Sequence, residues 1–102
     1  MNSSQDVLGR FTTKAGNQCV VTKDKVVWMH GGGHMDQLFI REITGTNLSE
    51  TGIFSKAYRV TLYHDFRAGR TGVFENAQWT EFATRSDAEQ MLQVVQAAMI
   101  LS

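Results

Sequence analysis

Near Arg85 the spacing of apolar residues changes from every second position to every third or fourth. Before that point the chain carries short runs rich in β-branched and aromatic residues, a pattern typical of strands. The 102 residues include no proline and nine glycines, so the turns between these runs depend on Gly, Asn, Asp and Ser. The sequence therefore predicts a mainly β chain that ends in one helix.

Seven strands are predicted, at residues 7–13, 18–22, 25–30, 36–46, 58–66, 71–75 and 78–84. The alternation is clearest in 58–66, where even-numbered positions are mostly apolar and odd-numbered positions are mostly polar. Residues 45–55 are polar and contain glycine, and we predict a connecting loop there.

The helix is predicted from residue 87 to about residue 100, with an apolar stripe at helical spacing. Ser86 is the expected N-cap, and Glu89 three residues later completes a capping-box pattern. The stripe consists of Ala88, Met91, Leu92, Val95, Ala98 and Met99.

An open sheet of seven strands would expose one apolar face and two edges. Bending the sheet strongly, or rolling it into a partly open barrel, and capping it with the helix removes both problems. We expect one domain over residues 1–102, with residues 1–6 flexible and the helix at 86–101.

Three segments carry a resemblance to a known superfold. They are a hairpin-like stretch from Cys19 to Trp28 (CVVTKDKVVW), a strand-like stretch from Leu38 to Gly45 (LFIREITG), and a strand running into a capped helix from Phe82 to Glu89 (FATRSDAE). With the order of elements, they make the chain from Gly9 onward resemble the small bacterial pleckstrin-homology-like (PH-like) and GRAM-like domains.

That resemblance implies a non-catalytic interaction module, because such domains bind lipid headgroups, peptides or proteins and often self-associate. Members that bind phosphoinositides use basic residues around the first hairpin. Here Lys14, Lys23 and Lys25 lie near the matching positions, but no arginine joins them and Asp24 lies between two of them. This departure argues against a lipid headgroup as the ligand.

The net charge and the cysteine content restrict the partners and the location that we expect for the chain. Ten basic residues balance ten acidic ones, so the chain has no general attraction to nucleic acid or anionic lipid. Cys19 is the only cysteine, which excludes an intrachain disulfide and fits a reducing compartment. The first residues do not resemble a signal peptide and no apolar run approaches the roughly 20 residues of a membrane helix. We expect a cytoplasmic protein.

The segment His30-Gly31-Gly32-Gly33-His34 is the most conspicuous short motif. With Asp36 and a converging His64 it could hold a metal ion, and its backbone amides could hold an anion. Because the histidines lie on a glycine-rich loop without fixed spacing, we interpret them as exposed residues of a hairpin tip. No metal or other cofactor is predicted.

Two further groups of residues have alternative interpretations. Cys19 could be a nucleophile, but its neighbours indicate a strand in which cysteine is a small apolar filler. The second group combines basic and aromatic side chains. The minority hypothesis is that it forms a surface that binds an anion or single-stranded nucleic acid. That group consists of Arg59, Tyr63, Arg67 and Arg70.

The end of the helix gives the strongest indication of a partner. From Val94 to Leu101 only Gln96 is polar, whereas a helix that caps a sheet needs only about one third of its surface apolar. Val94, Ala97, Ile100 and Leu101 fall outside or beside the buried stripe, and Ile53 and Phe54 form a second apolar spot in the predicted loop.

We therefore expect a non-catalytic module that binds a protein partner or self-associates through the C-terminal helix and a sheet edge. An alternative is a small inhibitor or immunity-type protein that blocks an enzyme or a nucleic-acid complex. A metal-dependent enzyme built on His30, His34 and His64 is the third hypothesis, and the least favoured, because no acid–base pair is evident on one element.

Overall fold

The computed structural model describes residues 7–64 and 77–101. Three predictions fall outside these ranges: the strand at 71–75, the flexibility expected for residues 1–6, and the roles considered for Arg67 and Arg70. The described residues form seven strands and one α-helix, in the order β1 (Val7–Thr12), β2 (Gln18–Thr22), β3 (Lys25–Met29), β4 (Met35–Phe39), β5 (Ile43–Thr51), β6 (Ala57–His64), β7 (Ala77–Phe82) and α1 (Arg85–Leu101).

The strands form two antiparallel sheets, of four strands in the order β1-β2-β3-β4 and of three strands in the order β5-β6-β7. The prediction of a mainly β fold with a C-terminal helix is confirmed. Over the described residues the strands do not close into a barrel. A single 3-10 turn at Ile40–Glu42 carries the chain from the first sheet to the second.

The core lies between the inner faces of the two sheets and one face of α1. Helix residues Ala88, Met91, Val95 and Ala98 are fully buried, which confirms the predicted stripe, and Leu92 and Met99 at its margins are half-buried. The helix packs on strands of both sheets. Burying this stripe against two sheets at once provides most of the helix's stability.

The prediction failed between residues 36 and 55. The expected strand 36–46 is interrupted after Phe39 by the 3-10 turn, and residues 45–51 of the expected loop belong to β5. Leu48 is the only large apolar side chain in the last seven residues of β5, so the segment lacks a strand-like apolar pattern. Continuous pairing with β6 from Gly45 to Thr51 supplies the stability that the residues of this segment do not provide themselves.

The predicted N-cap was also wrong. The Oγ1 atom of Thr84 accepts a hydrogen bond from the backbone N–H of Asp87 at 3.2 Å, so Thr84 is the capping residue. Glu89 does not complete a capping box but accepts a hydrogen bond from Arg85 Nε at 3.0 Å, one turn earlier. The helix therefore begins two residues before its predicted start.

Candidate functional site

The β5–β6 hairpin ends in a five-residue turn, residues 52–56, which we call the hairpin tip. Thr51 and Ala57 pair across its base. Gly52 adopts a left-handed conformation with φ +90°, and a Cβ atom at this position would lie 2.3 Å from the carbonyl oxygen of Ser55. Only glycine fits this turn without distortion, so the tip has a defined shape.

Two lysines hold the tip in place. Lys14, in the β1–β2 turn, donates from Nζ to Ser55 Oγ at 3.0 Å and to the Ser55 carbonyl oxygen at 3.5 Å. Lys56 forms an ion pair with Glu50 at 2.9 Å across the hairpin. The hydrogen bond and charge of Lys56 lower the pKa of the Glu50 carboxyl, and Glu50 raises the pKa of Lys56 in return. Both interactions restrain a turn that has no core of its own.

The tip presents its two apolar residues to solvent. Phe54 is 99% exposed and Ile53 is 86% exposed. Exposed apolar side chains are common singly, but two adjacent large ones at the end of a restrained turn are unusual. The structure therefore retains the second apolar spot of the sequence analysis and places it on a defined turn rather than in an eleven-residue loop.

An open cleft of about 400 Å³ lies next to the tip, between the β1–β2 turn, the end of β3 and β7. Lys14 belongs to both features, because it lines the cleft and binds Ser55. The cleft and the hairpin tip together form what we call the hairpin end of the domain. The cleft is lined by Thr13, Lys14, Ala15, Asn17, Gln18, Trp28, His30, Trp79, Thr80 and Glu81.

Two bonds join the sheets at this cleft. Trp28 of β3 donates its indole Nε1–H to Thr80 Oγ1 of β7 at 2.6 Å, and both side chains are buried. The backbone N–H of Lys14 donates to the carbonyl oxygen of Glu81 at 2.8 Å. These bonds fix the width of the cleft where the first sheet meets β7.

One wall of the cleft carries a charged and aromatic cluster on the outer face of the second sheet. The Arg59 guanidinium donates to Glu81 Oε2 from Nε at 3.2 Å and from Nη2 at 2.7 Å. It also lies over the Trp79 ring, 4.9 Å from the ring centroid. Trp79 is 54% exposed and Tyr63 is also exposed on this face. Arg59 is thus occupied by a carboxylate and an indole, and its charge is locally balanced.

Among the described residues, His30 and His34 flank the three glycines, whereas His64 ends β6, where it pairs with Ile43. His30 Nε2 lies 2.9 Å from Asp36 Oδ2, and the backbone N–H of His30 donates to the His34 carbonyl oxygen at 2.8 Å across a single 3-10 turn of three glycines. Within residues 7–64 and 77–101, no group of three or more His, Cys, Asp or Glu side chains could hold a metal ion.

Cys19 is fully buried in the core on β2. Burial raises the pKa of its thiol to about 12, so the reactive thiolate is negligible at neutral pH. Its position matches the interpretation as a small apolar filler.

The C-terminal turn of α1 is the second apolar surface. Ile100 is 83% exposed and Leu101 is 68% exposed; we call these two residues the helix end. Ala97 is exposed as well, whereas Val94 is half-buried against the core. The four helix residues expected to bind a partner are therefore split, and Val94 serves mainly the core.

The hairpin end and the helix end lie on opposite sides of the domain. The charge of Arg85, at the start of α1, acts on Glu50 beside the tip. Gln96 Nε2 instead donates to Thr46 Oγ1 at 3.3 Å, near the opposite end of the β5–β6 hairpin. A helix of 17 residues is about 25 Å long, so one small contact cannot cover both ends.

Sequence reasoning missed Trp79, and it considered Lys14 only as one of three basic residues near the first hairpin. A signal for Trp79 was present, because the alternation in 78–84 places this large aromatic on the same face as Glu81, where polar residues are expected. The contact of Lys14 with a turn 41 residues away depends on how the two sheets meet, and no local pattern encodes it.

The chain matches no family model, and no curated protein and no solved structure is significantly similar to it. Across the ranges 7–64 and 77–101, no helix has the length and apolar content needed to cross a membrane.

Proposed function

We propose that this chain is a non-catalytic interaction module that binds a protein partner at its hairpin end. The observation that carries this proposal is the nearly complete exposure of Phe54 on a turn restrained by Gly52, Lys14 and Lys56. Fully burying one such side chain contributes about 1.5–3 kcal/mol. A turn that is ordered before binding loses little conformational entropy when the partner arrives.

The chemistry of the other candidates supports a binding role rather than catalysis. Cys19, the one thiol, is buried with a raised pKa, so it is a poor nucleophile. The His30 imidazole is bound to Asp36 at 2.9 Å, and both side chains are well exposed to solvent.

We also propose that the fold is PH-like. The order of elements, seven antiparallel strands followed by one C-terminal helix, agrees with what the resemblance implies. A single buried cysteine agrees with a cytoplasmic location. A small inhibitor would be a special case of the same binding function, and genomic neighbourhood would distinguish it.

Comparative capture from native lysate tests the proposal. Wild type, Phe54→Asp and the control Phe39→Asp are immobilised, and bound proteins are quantified by mass spectrometry. Phe39 is a suitable control because it is an exposed aromatic that pairs with Lys25, at the opposite end of β3 from His30 and the cleft.

We expect at least one protein to be lost with Phe54→Asp and kept with Phe39→Asp. Its binding to the purified chain, measured by calorimetry, should weaken about tenfold or more with Phe54→Asp. Equal capture by wild type and Phe54→Asp would contradict the proposal.

Self-association through the helix end is a second candidate, favoured by the exposure of Ile100 and Leu101. We expect the mass measured by light scattering to rise with protein concentration and Ile100→Asp to abolish that rise. A monomer at every concentration would remove this candidate and leave the hairpin-end proposal intact.

A further inference from the structure

The outer edge of β7 forms part of the cleft wall. β7 pairs with β6 on one side from Ala77 to Phe82 without a register shift. On its other side, the one backbone bond recorded within the described ranges is that from Lys14 N–H to the Glu81 carbonyl oxygen. Beside this bond, Trp79, Thr80 and Glu81 of β7 line the cleft.

Antiparallel pairing determines which backbone groups this edge presents. In such a ladder, successive residues alternate between pointing both backbone groups at the partner strand and pointing both away. The Glu81 carbonyl points away from β6, toward Lys14. Trp79, two residues earlier in the same regular ladder, therefore also directs its N–H and C=O away from β6. Within residues 7–64 and 77–101 no backbone partner binds this donor and acceptor, so both can pair with an added strand.

The charges around the cleft favour an acidic ligand. The Glu81 carboxylate is bound by Arg59 and the His30 imidazole by Asp36. Lys14 binds only the hydroxyl and carbonyl oxygens of Ser55, and no acidic partner in the described ranges lies within ion-pair distance of it. Among the described residues, the ammonium of Lys14 is thus the one charge of the cleft lining without an opposite charge beside it.

From these observations we propose that the cleft binds an extended peptide segment that adds as a strand to the edge of β7 and places an acidic side chain at Lys14. The proposal rests on the proposed function and names the partner class. Backbone bonds to Trp79 would supply affinity, and alternate side chains would supply specificity, one at the Trp79 indole and one at the Lys14 ammonium. A strand added about 4.8 Å from β7 would occupy the cleft.

The experiment starts from a displayed library of random eight-residue peptides, selected on the whole purified chain. We expect the selected peptides to share an acidic residue. Synthetic copies should bind Lys14→Gln about tenfold more weakly than wild type, because a charge-assisted bond is lost. Lys14→Gln keeps a donor for Ser55, and the control Lys23→Gln removes a lysine from the β2–β3 turn, away from the cleft, and should leave binding unchanged.

Hydrogen exchange distinguishes strand addition from contact by side chains alone. At a peptide concentration ten times Kd, we expect exchange of the Trp79 amide to slow about tenfold. A peptide with alternate amides N-methylated, so that those facing β7 cannot donate, should lose binding.

Three results would overturn the inference: no selected peptides, unchanged affinity for Lys14→Gln, or no protection of the Trp79 amide. If they occur while capture still depends on Phe54, only the peptide inference fails. If the peptides bind as expected but Phe54→Asp leaves capture unchanged, the hairpin tip is not the partner surface.

Discussion

The hairpin end and the helix end both expose large apolar side chains, but they hold them differently. Phe54 lies on a turn held by the Lys14–Ser55 hydrogen bonds and the Glu50–Lys56 ion pair. Ile100 lies in the last turn of α1, where the final carbonyl groups have no intrahelical donor and fraying is expected. Similar exposure thus has different consequences, because an apolar side chain on a restrained turn binds a partner at lower entropic cost than an apolar side chain on a fraying turn.

The largest effect should come from the bond that joins the two sheets at the hairpin end. Thr80→Val keeps the shape of the side chain but leaves the buried Trp28 indole N–H without an acceptor. We expect a loss of about 2 kcal/mol in the free energy of unfolding, measured by urea denaturation. Thr12→Val is the control, because Thr12 Oγ1 accepts only an exposed bond from Gln18. Equal losses of unfolding free energy in the two variants would show that the Trp28–Thr80 bond stabilises the protein no more than an exposed bond does.

The next effect concerns the shape of the tip. Gly52 and Gly16 both have φ near +90°, but only at Gly52 would a Cβ collide with backbone, whereas at Gly16 it would meet open space. We expect Gly16→Ala to cost about 1 kcal/mol and Gly52→Ala about 2 kcal/mol. If thermal unfolding shows equal losses of stability for the two variants, the tip relaxes easily around the added Cβ atom. The contrast between the hairpin end and the helix end would then weaken.

A smaller effect tests where the helix begins. Thr84→Ala removes the capping hydroxyl and should cost about 1 kcal/mol. Ser86→Ala should cost much less, because Ser86 lies inside the helix and is exposed. The reverse order in chemical denaturation would restore the sequence-based prediction that Ser86 is the cap.

The smallest effects belong to the exposed apolar residues themselves. Phe54→Asp and Ile100→Asp should each change the free energy of unfolding by less than about 0.5 kcal/mol, because neither side chain contributes to the core. Calorimetric unfolding checks this expectation. A large loss for either variant would mean that the side chain packs within the domain and is not available to a partner.

The sequence predicted the elements whose apolar pattern is strong. Strands β1, β2, β3, β6 and β7 and the helix all appear near their expected positions, because each carries its own alternation or stripe. The later part of β5 was missed because Leu48 is the only large apolar residue in a polar segment whose strand conformation depends on β6.

The site was less predictable than the fold. Ile53 and Phe54 were identified as apolar residues in a predicted polar loop, but the contacts that restrain them join residues distant in sequence, such as Lys14 and Ser55. The same holds for Trp28 and Thr80, 52 residues apart. The sequence itself shows which side chains are apolar. Which of them form one surface depends on how the two sheets pack together.

The most direct test of the hairpin-end account is photo-crosslinking in cells that make the protein. A benzophenone side chain replaces Phe54, Phe39 or Ile100 in otherwise unchanged chains. The account predicts a crosslinked complex with another protein from position 54 and none from position 39. A complex that forms only from position 100, or equally from all three, would contradict it.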